Sequence, residues 1–118
     1  MIASRNGHIV NLSSIHGIHA SANASAYCAS KYAVTGLAEA LSKELWKDGI
    51  KVSAICPGGV LTPFSGISPE KKNQEFMEPI EDAKVLLSVV TAPEKALIIQ
   101  VVVTPKTRPF ILQEIVSV

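Results

Sequence analysis

Apolar residues recur with two different periods along this chain. The run His8-Ile9-Val10-Asn11-Leu12-Ser13, entered through Gly7, is short, rich in β-branched residues and lacks clean alternation. That is the pattern of a strand buried on both faces. From about Ser25 to Lys47 the period changes: Val34, Leu37, Leu41 and Leu45 recur at helical spacing, and Asp48-Gly49 supplies a terminating glycine. Ala29, Ala33, Gly36 and Ala40 form a second stripe on the same helix, small enough for another backbone to approach closely. A glycine inside a helix costs about 1 kcal/mol relative to alanine, and close packing is the natural compensation at Gly36. Ile50 to Cys56 reads as a second strand, halted by Pro57-Gly58-Gly59. Strand, long helix and strand together make a parallel βαβ unit.

Residues 57 to 79 hold four of the seven prolines, three of the seven glycines and the patch Glu70-Lys71-Lys72. This predicts a mobile loop with room for a short helix. Acidic Glu81-Asp82 followed by Ala83, Leu86, Leu87 and Val90 predicts a second helix that ends before Pro93, with Leu97 to Val103 as a third strand. Phe110-Ile111-Leu112 in the tail suits an edge strand or a surface that packs on a partner. With no internal repeat or linker, residues 1–118 read as one domain of α/β class. Three strands and two helices do not cover both faces of an open parallel sheet, so the expected domain is a partial one.

Composition agrees with a packed domain and removes several classes of function. The chain is 47% hydrophobic and 18% charged, which excludes disorder by composition. Its formal net charge is +1, and no basic face stands out, so no nucleic-acid partner is expected. The N-terminal residues lack the apolar stretch of a signal peptide, and Ala96 to Val103 is too short to span a bilayer. The expectation is a soluble, cytoplasmic protein with no membrane partner. Cys28 and Cys56 have neither a metal-ligand nor a disulfide-framework spacing and read as reduced, buried thiols.

Tyr27 and Lys31 lie four apart near the start of the long helix, on one face. Such a pair suits proton transfer at an alcohol or carbonyl. A phenol must be lowered by about 3 pH units to work near neutrality, or roughly 4 kcal/mol, and a cation about 4 Å away supplies that order of stabilisation. Alone the pair is a weak signal. Ser13-Ser14 follows the first strand, where ligands of open parallel sheets bind, although loop serines are common in any case.

In combination these residues resemble a known family. Gly7 to Ser14, then Tyr27-Cys28-Ala29-Ser30-Lys31, Gly36-Leu37, Glu44-Leu45, Gly49 to Val52 and Pro57 to Pro63 are similar, in order and spacing, to the short-chain dehydrogenase/reductases of the classical type. The resemblance implies the C-terminal, catalytic part of a Rossmann-type doubly wound parallel sheet. The family's glycine-rich turn, its Asn-Asn-Ala-Gly element and the asparagine of its proton relay have no counterpart among these residues. It further implies that Ser14 hydrogen-bonds the substrate oxygen, with Ser13 as a structural neighbour, and that Tyr27 is the general acid/base. Lys31 would tune that tyrosine and hold the nicotinamide ribose, two duties that suit an ammonium with three donors. Pro57, Gly58, Val60 and Thr62 would meet the nicotinamide side of NAD or NADP, with Phe64 in the lid that follows. Residues 81 to 105 resemble, more loosely, bacterial members acting on small hydroxy acids, aldehydes and related carbonyls.

The expected function is therefore NAD(P)-dependent hydride transfer between nicotinamide and a small carbonyl or alcohol, in a homo-oligomer formed through the long helix. The alternative is a truncated, non-catalytic remnant or oligomerisation module that binds no dinucleotide by itself. A serine hydrolase lacks its Gly-x-Ser-x-Gly elbow. His16 and His19 have no third metal ligand at a recognisable spacing and read as solvent- or substrate-facing.

Overall fold

A computed structural model describes residues 1–65 and 76–107. Five regular elements follow in chain order: β1 (Gly7–Leu12), α1 (Ser25–Leu45), β2 (Ile50–Pro57), α2 (Pro79–Val90) and β3 (Gln100–Val103). The strands form one parallel sheet in the order β1-β2-β3. Gly7 to Leu12 pair with Ile50 to Ile55, and Ala54 to Pro57 pair with Gln100 to Val103. The predicted α/β class and parallel βαβ unit are both present.

β2 is the strand buried on both faces, because it has a neighbour on each side and helices above and below. Ile50, Val52, Ala54 and Cys56 form the core with Ala38 of α1, and Ile9, Ile18, Leu41, Leu45 and Val102 pack against it. The alternate residues Lys51, Ser53 and Ile55 point to the opposite face, where the Lys51 ammonium donates to the carbonyl of Pro93 just beyond α2, at 3.0 Å. β1 departs from expectation: it is half-buried along most of its length and Leu12 is exposed. Among the described residues it pairs with β2 alone, which leaves one edge and part of each face uncovered.

Helix α1 also differs in detail. Its buried positions are Cys28, Ala38 and Ser42, all small, so the helix axis lies close to β2. Val34, Leu41 and Leu45 of the predicted stripe are half-buried, whereas Leu37 is 52% exposed. Ala29, Ala33, Gly36 and Ala40 are exposed as well, and a Cβ built on Gly36 meets nothing within 4 Å. The helix ends through a 3-10 turn at Trp46–Asp48, and Gly49 then turns the chain with a φ of 74° that favours glycine.

α2 begins with Pro79 at its first position and a reciprocal capping box between Glu78 and Glu81, two residues ahead of the acidic pair that marked it in the sequence. β3 is shorter than the predicted run from Leu97 because the carbonyl of Ile98 accepts from the Ser53 hydroxyl at 2.5 Å instead of joining the ladder. Phe110-Ile111-Leu112 and Glu70-Lys71-Lys72 lie outside the described residues. Among those described, no helix is long and apolar enough to cross a membrane.

Candidate active site

Parallel pairing sends the carboxyl ends of β1 and β2 to the same side of the sheet, and the first turns of α1 pack beside them. Between these ends lies a cavity of about 620 Å³. Ser14, Tyr27, Lys31, Pro57, Gly58, Val60 and Thr62, all seven residues singled out in the sequence, line it together.

Ser14 comes from the end of β1 and caps the short 3-10 turn Ile15–Gly17, its Oγ accepting from the backbone N–H of His16 at 3.1 Å. The hydroxyl oxygen is thereby anchored while its proton can point into the cavity. Lys31 reaches from α1 toward β1 and donates from Nζ to the Leu12 carbonyl at 3.2 Å. The same ammonium lies 5.7 Å from the centroid of the Tyr27 ring. Two of its three donors remain to serve other acceptors.

Tyr27 stands between two rings that the sequence did not assign to it. His16 meets it edge-on with centroids 5.6 Å apart, and Phe64 lies tilted at 5.9 Å. Such aromatic packing restricts the phenol to a narrow range of orientations. His16 follows Ser14 by two residues and is swung toward Tyr27 by the turn that Ser14 caps, so a Ser-x-His signal was present. Asp82 also lines the cavity. Burial pushes its carboxyl pKa upward, and Oδ1 is buried with no hydrogen-bond partner among the described residues. In the sequence, Asp82 read only as an acidic residue in the first turn of a helix.

The loop after β2 is fixed by backbone bonds. Gly58 N–H donates to the Val103 carbonyl at 2.6 Å, Leu61 N–H to Met77 at 2.8 Å and Met77 N–H to Gly59 at 2.9 Å. A Cβ on Gly59 would come within 2.8 Å of the Phe76 ring, so this glycine serves packing inside the chain. The bridge to Met77 uses the carbonyl of Gly59 and the N–H of Leu61, leaving the peptide groups of Val60 outside it. The chemistry of Val60, Thr62 and Lys31 fits the nicotinamide and ribose end of a dinucleotide. No Gly-x-Gly stands among the 118 residues to cradle a pyrophosphate. His16 and His19 gain no third ligand: among the described residues no cluster of three His, Cys, Asp or Glu side chains is placed to hold a metal ion.

Comparison with known proteins identifies relatives of the chain. The family model for short chain dehydrogenases matches residues 1–73. A D-beta-hydroxybutyrate dehydrogenase of Cupriavidus necator is 41% identical over 78 residues, covering 66% of this chain and 30% of the relative. A 3-oxoacyl-(acyl-carrier-protein) reductase of Thermotoga maritima is 38% identical over 96 residues, 74% of this chain and 39% of the relative. Among solved structures, the closed form of a serine dehydrogenase complexed with NADP+ superposes with a TM-score of 0.81 at 24% identity, over 93% of this chain and 48% of that one. That last likeness shows a shared Rossmann-type fold. The chain belongs to the short-chain dehydrogenase family, and it spans less than half the length of each of these three proteins.

Proposed function

We propose that this chain carries the proton-handling, nicotinamide-facing part of an NAD(P)-dependent oxidoreductase acting on a small carbonyl/alcohol pair. The convergence of Ser14, Tyr27, Lys31 and the loop from Pro57 to Thr62 on one cavity carries the reading. A bound dinucleotide would supply or accept the hydride. Ser14 donates a hydrogen bond to the substrate oxygen, and Tyr27 gives that oxygen a proton in reduction or takes one in oxidation. Lys31, with its ammonium 5.7 Å from the centroid of the Tyr27 ring, offers its remaining donors to the ribose. Pro57, Gly58, Val60 and Thr62 face the nicotinamide. His16 and Phe64 hold the phenol ring and narrow the space above it. The names of both sequence relatives share an acyl group oxygenated at its third carbon, which makes 3-oxo and 3-hydroxy acyl compounds the first substrates to try.

Tyr27→Phe removes one oxygen and leaves the ring contacts to His16 and Phe64. Carbonyl reduction followed by NADH and NADPH absorbance should fall below a few per cent of the parent rate in this variant. Retention of more than that would overturn the assignment of Tyr27.

A second reading rests on a different observation. The exposed face of α1 carries Ala29, Ala33, Gly36 and Ala40 beside exposed Tyr32 and Leu37, which suits close approach of a second copy. On this reading the chain is an oligomerisation module that binds no dinucleotide by itself. Sedimentation equilibrium combined with NAD(P)H titration separates the two: dinucleotide binding favours the oxidoreductase, and self-association with no binding favours the module.

A further inference from the structure

Beside the cavity, which Ser13 itself lines, lies a second group of polar atoms that the proposed chemistry does not use. Ser13 follows β1 and is 4% exposed, Cys56 near the end of β2 is fully buried, and Thr35 sits one turn after Lys31 on α1. The Ser13 and Thr35 hydroxyls are 2.8 Å apart. Both also reach the backbone carbonyl of Lys31, at 3.0 and 3.1 Å. Burial raises the pKa of the neighbouring Cys56 thiol, so it keeps its S–H.

The protons can be counted. One hydroxyl donates to the other, and the second donates to the Lys31 carbonyl. Each of the two hydroxyl protons then has an acceptor. A threonine that bonds the carbonyl four residues back is ordinary in a helix. The bond from Ser13 is different, because it crosses from a strand end to the helix.

Lys31 is thus held at both ends by consecutive residues of the β1 terminus. Its ammonium is on the Leu12 carbonyl, its own carbonyl is on the Ser13 hydroxyl, and Ser14 is the next residue. Gly17 closes over the group, since a Cβ there would lie 2.7 Å from the Lys31 carbonyl oxygen and still closer to both hydroxyls.

We infer that Ser13 and Thr35 are positioning residues whose paired hydroxyls set the reach of the Lys31 ammonium toward Tyr27 and its alignment with Ser14. The inference rests on the role proposed for Lys31 but is tested without turnover. When Ser13 loses its hydroxyl, the Lys31 carbonyl keeps its helical N–H partner, so α1 persists while one of the two bonds that tie Lys31 to the β1 terminus goes.

Competitive acylation with trace acetic anhydride, read lysine by lysine by mass spectrometry, reports how firmly each ammonium is held in the folded chain. Exposed Lys95 and Lys106 serve as internal references. Relative to these, Lys31 should react roughly fivefold faster in Ser13→Ala and in Thr35→Val, the factor expected for one net hydrogen bond. Thr35→Ser keeps the hydroxyl and should return the rate to within about twofold of the parent. Ser53→Ala removes a buried hydroxyl from the other face of the sheet and should leave the Lys31 rate unchanged, which separates positioning from a general loss of stability. An unchanged Lys31 rate in both Ser13→Ala and Thr35→Val overturns the inference, as does an equal rise in Ser53→Ala. If Ser13→Ala does not fold, the comparison of Thr35→Val with Thr35→Ser decides the matter. A chain without dehydrogenase activity would refute the proposed function and leave this measurement intact.

Discussion

Gly17 and Gly36 give one substitution two opposite outcomes. At Gly17 an added methyl would enter the space between the Ser13 and Thr35 hydroxyls and the Lys31 carbonyl, within 2.7 Å of the last. Two of these neighbours are short side-chain hydroxyls tied into buried hydrogen bonds and the third is helix backbone, so the methyl fits only if those bonds break or α1 shifts. Overpacking of this kind costs about 1–3 kcal/mol. Displacing the buried hydroxyl bonds adds about 1–2 kcal/mol. Together the loss is roughly 2–5 kcal/mol, and at about 4 °C per kcal/mol for a domain of this size the melting temperature should fall by about 8–20 °C. At Gly36 the added methyl meets nothing within 4 Å, and only helix propensity changes. Gly36→Ala should therefore raise stability by up to about 1 kcal/mol, or about 4 °C. Melts followed by far-ultraviolet circular dichroism at low micromolar concentration test both. If Gly17→Ala melts within about 2 °C of the parent, far less than overpacking predicts, the closed packing over Lys31 is wrong. If Gly36→Ala gains stability in dilute solution but loses it as concentration rises, a second copy lies against that face.

Three further outcomes follow from the charged groups. Desolvation raises the Asp82 pKa above its ordinary 3.8, so the folded state holds this proton more tightly than the unfolded chain does. Its contribution is greatest below that ordinary value and is lost as pH rises through the elevated folded pKa. Asp82→Asn should flatten this limb and exceed the parent in urea midpoint at pH 7, and a difference between variant and parent that stays constant from pH 4 to 7 would contradict it. His8 has the opposite sign: burial, then the charge of Lys51, lower its pKa from 6.5, so its contribution is present above 6.5 and is lost as pH falls through the lower folded value. The Ser53 hydroxyl gives its proton to Ile98, so neutral His8 must donate from Nε2 across their 2.7 Å contact, and His8→Gln should remove the acid-side loss in pH-dependent melts. Lys31→Ala should weaken NAD(P)H binding about tenfold in a fluorescence titration, the size of one charge-assisted hydrogen bond. An unchanged affinity would assign the ribose contact elsewhere.

The parts of the molecule that could be read from the sequence are those whose signals are local. Tyr27 and Lys31 share a helix face through their spacing alone, Pro57-Gly58-Gly59 stops a strand wherever it stands, and parallel pairing brings the two strand ends together. The rest depends on contacts between elements. His16 reaches Tyr27 only because Ser14 caps the turn that carries it, and Phe64 reaches it only from the 3-10 turn Pro63–Ser65 that follows β2. Asp82 carries the usual mark of a helix start, and nothing in its neighbours reveals that the first turn of α2 faces the cavity. Size and period alone put Leu37 with the core stripe, yet it is 52% exposed. The buried face of α1 instead follows its small residues Cys28, Ala38 and Ser42, since a helix lying close over β2 has no room there for larger ones.

The same closeness explains why the site sits where it does. β1 has one strand neighbour among the described residues, so its ladder with β2 fixes its height and direction but constrains its outer edge little. Beyond Leu12, the main chain has one further bond to β2, from Ser13 N–H to the Ile55 carbonyl at 2.8 Å. From there the position of Ser14 depends on the helix: on the Lys31 ammonium at Leu12, on the Ser13 hydroxyl at the Lys31 carbonyl, and on the turn that Gly17 lets pack against α1. A bulky residue at Ala38 or Ser42 would lift α1 away from β2 and lengthen all of these contacts together. The small residues of the buried face are therefore a condition of the site's geometry, through the distance they set between the helix that carries Tyr27 and Lys31 and the strand end that carries Ser14.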